Sequence, residues 1–390
     1  MTRRVAGPTS SRRPSLARAG RVLLVAGGAL VAYPAEAAGQ KPGPTNTITD
    51  VPGIQVGHET RIGGGWRTGT TVVLTVGNAP AGFSQQGGAP GTKEVALLEP
   101  GGLVTQVQAV VLSGGSAYGL DAASGVMRWL EERGLGHPVR GGVVPIVPAA
   151  ILFDLGRGGD FKARPDAEFG YRAAENANSG PVPMGRVGAG AGAGWGLGSA
   201  SVVLDNGYTV GAIVGLNPAG SPVDPRTCLP YGLFLELDGE FGLTEPSPED
   251  CPGDERSRQA RAGPGWDGES FNTTIAVVAT DAPLDQTQAK RMAMIANSGL
   301  ARAIKPVHNL GDGDLVFGLA TTPPGQRLTN RELDAIYNAA ADALGRAVVH
   351  AVLNAGSIGE RVGYCERYPS ACRNREAARG SADARAANRP

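Results

Sequence analysis

The chain has 390 residues, and its 36 Lys plus Arg are balanced by 36 Asp plus Glu. That balance gives no reason to expect nucleic acid or an anionic membrane surface as a partner, and the length allows a large core in one or two domains. Aromatics are only 5% of residues while glycines number 60 without a Gly-X-Y period, which points to tight turns and close backbone contacts and excludes collagen.

Residues 1–37 read as an export signal and are set aside from the fold. The n-region carries Arg3, Arg4, Arg12, Arg13, Arg18 and Arg21, an apolar run extends from Val22 to Tyr33, and Ala35-Glu36-Ala37 is an A-x-A cleavage site. The apolar run is too short to cross ~30 Å of hydrocarbon comfortably. Arg12-Arg13 suits the twin-arginine route and an Arg-rich Sec signal equally. Either route leaves a periplasmic or secreted protein with no membrane attachment after signal removal. Residues 38–45 read as a leader.

Strands are expected at Thr71–Val76, Val104–Leu112, Tyr208–Val214, Thr274–Ala279 and Leu315–Ala320, where β-branched runs are bounded by Gly, Asp or Pro. Helices are expected at Leu120–Arg133, Leu284–Ile304 and Thr329–Ala355. The last opens with the capping box Thr329-x-x-Glu332 and stops before Gly356. Helices mixed with buried strands imply a layered α/β architecture. The glycines at 188, 190, 192, 194, 196 and 198 have a period of two. On a strand they would share one face and let another backbone approach. That unbroken alternation argues against a dinucleotide-binding turn.

Glu245 to Ser270 is rich in Pro, Gly and charge and reads as an exposed loop. Arg373 to Pro390 reads as a disordered tail. Four cysteines allow three pairings. Cys228–Cys251 with Cys365–Cys372 is favoured, because each bridge would staple one loop-rich segment. No CxxC or Cys/His ligand spacing appears, so no metal site is expected.

Asn272-Thr273-Thr274 leads into the apolar run Ile275 to Ala279. A Thr that opens a buried strand can be uncovered by cutting the bond before it. Its new α-amine then serves as base for its own hydroxyl, so no His is required. The commoner hydrolytic solutions find no support. G-x-S-x-G and H-E-x-x-H are both missing from the sequence, and His58, His137, His308 and His350 all read as structural.

Seven segments carry a wider pattern in chain order. They are Asn46 to His58 (NTITDVPGIQVGH), Gly114 to Asp121 (GGSAYGLD), Val144 to Ala150 (VPIVPAA), Gly188 to Gly194, Gly215 to Gly220 (GLNPAG), Asn272 to Ala282, and Asp312-Gly313-Asp314 before Val316-Phe317. In these the chain resembles the self-cleaving family of L-aminopeptidase/D-amidase-esterases, β-peptidyl aminopeptidases and nylon-oligomer endohydrolases, over almost all of its mature length.

The resemblance implies an α/β fold, a four-layer α-β-β-α sandwich like that of N-terminal-nucleophile hydrolases but with different connectivity. It implies cleavage between Asn272 and Thr273, giving an α chain 38–272 and a β chain 273–372 of one domain. Thr273 is then the nucleophile, Asp312 and Asp314 orient it from the rim of the site, and Asn217 faces the oxyanion. As i and i+2 on an extended segment, the two carboxylates point the same way and can accept hydrogen bonds from the Thr273 ammonium and hydroxyl. Tyr118 and Phe153 are candidates for the substrate pocket.

Two departures leave substrate preference open: Phe153 stands where the endohydrolases have Tyr, and Leu197 where many members have Lys. The implied protein removes N-terminal residues from small peptides, amides or esters through an acyl-enzyme. It needs no cofactor and assembles as αβ heterodimers in a homo-oligomer, a tetramer by family habit. The alternatives are an N-terminal-Thr acyltransferase and a catalytically silent periplasmic binding or structural protein.

Overall fold

The computed structural model describes residues 40–252, 271–325 and 327–375. The export signal, the end of the Glu245–Ser270 loop from 253 onward, and 376–390 of the expected tail lie outside the described residues. Among those described, no helix is long and apolar enough to cross a membrane.

The strands are β1 (Ile54–Gly63), β2 (Trp66–Gln85), β3 (Gly91–Lys93), β4 (Gln106–Ser113), β5 (His137–Val139), β6 (Gly142–Val144), β7 (Ala149–Ile151), β8 (Leu197–Val203), β9 (Thr209–Asn217), β10 (Thr273–Thr280) and β11 (Leu315–Ala320). The helices are α1 (Ala122–Glu131), α2 (Ala167–Glu175), α3 (Gln286–Ala303), α4 (Asn330–Asn354) and the short α5 (Tyr364–Arg367). The five strands expected from sequence correspond to β2, β4, β9, β10 and β11. The three expected helices correspond to α1, α3 and α4, and the Thr329–Glu332 capping box closes the start of α4 as expected.

The main sheet runs β3-β7-β4-β2-β11-β10-β9-β8, with β1 paired to β2. β2 spans 20 residues and serves two layers. Its first half pairs with β1 and β4, its register shifts between Leu74 and Ala79, and its end pairs with β11. The two resulting sheets stack. Three apolar spaces follow. Ile275, Val277, Ala279, Ile213 and Phe317 meet Val73, Val110, Leu112 and Leu152 between the sheets. Ala276, Val278, Val214 and Val316 pack under α3 and α4. Val72, Leu74, Ala109 and Val111 pack under α1 and α2. Three cores separate four layers, α-β-β-α, and alternation along each strand fills both faces.

The β1–β2 turn is Gly64-Gly65. Both residues have positive φ, at 58° and 84°, as a two-residue hairpin of this hand requires. The expected glycine strand is not one. Gly188–Gly190 is a 3-10 turn, an irregular loop follows, and β8 begins only at Leu197. Gly188 and Gly196 have φ of 52° and 82°, which a continuous strand excludes. The expected leader is also tied in, since Lys41 bridges Val203 at the end of β8. Arg375, inside the expected tail, donates to Asn354 Oδ1 at 2.9 Å. The structure pairs Cys228 with Cys251 and Cys365 with Cys372.

One buried polar cluster locks α4 to the N-terminal segment. Arg346, 1% exposed, forks onto Glu240 and donates to Ser201 O at 2.7 Å and Asn46 Oδ1 at 2.8 Å. His350 meets the same Glu240 at 2.7 Å. Burial alone would raise the Glu240 pKa, but the hydrogen bonds from His350 and Arg346 outweigh it and hold the carboxyl down at about 2. This stabilisation is therefore complete above the ordinary value of 4.5 and is lost as pH falls from there through about 2. Glu240→Ala is expected to lower stability by about 3–5 kcal/mol at neutral pH, because it leaves a buried guanidinium unpaired. Denaturant melts read this directly, and a loss under ~1 kcal/mol would contradict it.

Candidate active site

β10 lies between β9 and β11, antiparallel to the first and parallel to the second. Its first residue, Thr273, is 3% exposed and sits directly opposite Asn217 at the end of β9. Parity along β10 puts Thr273 on the side of Ile275, toward the inter-sheet space, and Thr274 on the side of Ala276, toward α3 and α4.

The bond before Thr273 is held from three directions. Asn272 N–H donates to Gly311 O at 3.0 Å, and Gly313 N–H donates to the Asn272 carbonyl at 2.9 Å. The Thr273 hydroxyl donates to the same carbonyl. Gly313 must be glycine for this approach, since a Cβ there would lie 2.7 Å from Ala89 O and 2.8 Å from Thr273 Oγ1. The backbone thus brings a hydroxyl against the carbonyl that precedes it and aims an N–H at that carbonyl oxygen.

Asp312 and Asp314 flank Gly313, but neither is at a rim, and both are fully buried. Nor does either carboxylate bond Thr273 in the intact chain. Asp312 accepts from Ala219 N–H at 2.9 Å and from the Asn309 N–H and Nδ2 at 3.1 and 2.8 Å. Asp314 accepts from Thr274 N–H at 2.6 Å and from His308 through its N–H at 3.2 Å and Nδ1 at 2.9 Å. The pair fixes the loops on both sides of Thr273. Burial, then the neighbouring Asp314 charge, raises the Asp312 pKa.

Asn217 is 2% exposed; its Oδ1 accepts from Gly194 N–H at 2.9 Å, and its Nδ2 donates to Phe153 O at 3.1 Å. An amide nitrogen carries two hydrogens, so this bond uses one of them. A cavity of about 1120 Å³ borders Asn217 and Asn272 and is lined also by Gly63–Trp66, Arg67, Arg157 and Ile358–Arg361.

Tyr118 does not line this cavity. It is half exposed on a 3-10 turn, with Arg164 stacked 3.5 Å over its ring. Phe153 contributes its carbonyl to Asn217, and its ring packs on Phe271 at 5.9 Å, with Arg157 5.1 Å from the ring centre. Leu197 is a fully buried inter-sheet residue. Its replacement of a Lys does not leave the cavity without cations, because Arg67 at the start of β2 and Arg157 and Arg361 from loops line it. Sequence reading also missed His308. It lies four residues before Asp312, close enough to have been tested as a partner, but it belongs to no motif.

A model of the family described as peptidase family S58 matches residues 46–365. The chain belongs to peptidase family S58. It is 45% identical over 356 residues to an uncharacterized aminopeptidase of Mycobacterium leprae, covering 84% of this chain and 96% of that one. It is 30% identical to a 6-aminohexanoate-oligomer endohydrolase of Paenarthrobacter ureafaciens, over 70% of this chain and 74% of the relative. The L-aminopeptidase D-Ala-esterase/amidase of Ochrobactrum anthropi, described as a new variant among the Ntn hydrolase fold, superposes with a TM-score of 0.63 at 23% identity. The match covers 86% of this chain and 95% of that one. This S58 chain is accordingly a hydrolase of the aminopeptidase kind with an N-terminal-nucleophile-type fold.

The S58 site also contains a side chain that the local geometry leaves idle. The Thr274 hydroxyl is buried and has no hydrogen-bond partner among the described residues. Replacing an unsatisfied hydroxyl with a methyl of the same shape removes a desolvation cost. Thr274→Val is therefore expected to stay within about 1 kcal/mol of wild-type stability and to leave chain processing intact. A thermal melt and a denaturing gel check both.

Proposed function

We propose that this S58 peptidase is a self-processing N-terminal-threonine hydrolase that releases N-terminal residues from small peptides, amides or esters. The observation that carries the reading is the convergence of the Thr273 hydroxyl and the Gly313 N–H on the Asn272 carbonyl. Thr273 Oγ attacks the Asn272 carbonyl carbon while Gly313 N–H takes up charge developing on the oxygen. The 272–273 C–N bond then breaks, and the amine leaves with a proton. Water hydrolyses the resulting ester, giving an Asn272 carboxylate and a Thr273 with both hydroxyl and α-amine free.

In turnover the amine takes the proton from that hydroxyl as Oγ attacks the substrate carbonyl. The substrate's leaving amine departs, and the acyl group sits on Thr273 until water, deprotonated by the α-amine, releases it. Asp312 and Asp314 supply negative charge beside the new ammonium and tune its pKa. The second Nδ2 hydrogen of Asn217 serves the oxyanion.

The working enzyme would be exported and would consist of α and β chains in a homo-oligomer, a tetramer by family habit. Exported protein is expected to begin near Ala38, with its cysteines unreactive until reduced. Four free thiols in periplasmic material would contradict export to an oxidising compartment.

A panel of aminoacyl p-nitroanilides assayed with added acceptor amines tests the activity. Hydrolysis supports this reading, transfer to the amines supports an acyltransferase, and inactivity supports a binding protein.

A further inference from the structure

Two of the cations that wall the cavity beside the scissile bond, Arg67 and Arg361, have little to pair with. Arg67 is 7% exposed, and its Nε and Nη2 have no hydrogen-bond partner among the described residues. The Arg361 guanidinium has no hydrogen bond or ion pair among them either. The Arg361 charge is close enough to lower the Arg67 pKa, and Gly359, two residues before it, packs on Arg67: a Cβ there would come 3.5 Å from Arg67 Nη1. Arg361 also reaches the reaction centre, since a Cβ on Gly194 would lie 2.7 Å from its Nη1, and Gly194 N–H is the group that holds Asn217.

Two further arginines beside them are already engaged. Arg157 contacts Asn272 Oδ1 at 3.0 Å, and Arg186 braces the carbonyls of Ala193, Gly194 and Gly356. Burial depresses all four arginine pKa values. Mutual repulsion adds to this for Arg67, Arg157 and Arg186, the last two falling to about 10 and so remaining charged at neutral pH. The buried carboxylate Asp154 offsets part of this for Arg67 and Arg157, but its two oxygens are engaged by Thr68 Oγ1 and Gly115 N–H rather than by a guanidinium. Among the described lining residues, the one carboxylate is the exposed Glu360. A buried guanidinium with unmet donors is costly unless an anion completes it. Its planar fork matches a carboxylate.

We infer that Arg67 and Arg361 hold a carboxylate of the substrate, so that the enzyme selects peptides or amides carrying an anionic group close to the bond it cuts. The identity of the bound molecule as substrate rests on the hydrolase reading above; the anion site itself rests on the cavity. The carboxylate has two chemical sources: the side chain of an acidic N-terminal residue, or the terminal carboxylate of a dipeptide whose first bond is cut.

The test uses the purified wild-type protein and Arg361→Gln, with two readouts. The first is calorimetric binding of glutarate against glutaramide, which needs no turnover. The second is kcat/KM for Glu- against Gln-p-nitroanilide, and for Ala-Ala against Ala-Ala-amide. Glutarate is expected to bind about 10–100-fold tighter than glutaramide, the range for a charge-assisted hydrogen bond, and Arg361→Gln should bring that ratio close to one.

In the kinetic readout one substrate pair should show a similar preference, carried by KM and lost in the variant. The Glu/Gln pair points to the side chain and the Ala-Ala pair to the terminal carboxylate. Equal binding of glutarate and glutaramide by wild type would overturn the inference, as would an undiminished preference in Arg361→Gln. Turnover of neutral p-nitroanilides alongside that result would leave the hydrolase reading standing. Arginine-dependent glutarate binding without any turnover would uphold the anion site and sink the hydrolase reading.

Discussion

Thr273→Ala is expected to remain one uncut chain and to show no aminopeptidase turnover. The two losses have one cause. In the proposed mechanism the hydroxyl that rests against the Asn272 carbonyl is the attacking group for chain cleavage, and the same atom accepts the substrate acyl group afterwards. Without cleavage no α-amine forms, so the base is lost along with the nucleophile. The fold should persist, because Thr273 opens β10 and the strand's core contacts begin at Ile275. Thr273→Ser should still cleave, since it keeps the hydroxyl. It would do so more slowly if the Thr methyl group helps hold the rotamer. Cleavage persisting in Thr273→Ala would contradict the assignment.

Asp314→Asn is expected to cost at least ~10²-fold in turnover, the scale for a group that orients the reacting partners, together with measurable stability. The carboxylate accepts from Thr274 N–H on one oxygen and from His308 on the other. An Asn there keeps one acceptor and turns an NH2 toward the His308 N–H. A buried donor is left unmet, at about 1–3 kcal/mol. The strand start that positions Thr273 loosens with it.

The change also acts on Asp312, which loses the second of the two influences that raise its pKa. With its pKa raised above the unfolded value, Asp312 contributes most to stability below that value, and the contribution is lost as pH rises through the folded pKa. Asp314→Asn should therefore lessen that loss at neutral pH for this one group, and the Asp312 titration should move down. Carboxyl-carbon NMR reads the titration, and p-nitroanilide kinetics reads the turnover. Wild-type rates would reduce Asp312-Gly313-Asp314 to a structural turn.

The elements that sequence made legible are those whose physics is local. The Thr329–Glu332 box, the stripe of α4 and the β-branched runs of β10 and β11 each follow from spacing a few residues long. The Gly188–Gly198 series misled because alternation alone does not report φ. Gly188 and Gly196 take left-handed values that turn the chain past Asn217. Asp312 and Asp314 could be named from the motif, but their burial depends on the 86–89 segment packing across them, where Gln86 and Ala89 N–H reach the carbonyls of Asp314 and Asp312. His308, Arg67 and Arg361 were illegible for the same reason: His308 and Arg361 sit singly in irregular loops, Arg67 is the second residue of β2, and only the tertiary fold brings them to one end of β10.

The most direct measurement is the intact mass of purified wild-type protein joined to N-terminal sequencing of its lighter fragment. Two fragments are expected, with the lighter one beginning Thr273-Thr274-Ile275. A single uncut chain that nevertheless hydrolyses aminoacyl p-nitroanilides, or a light fragment beginning at Thr274, would contradict the assignment of Thr273.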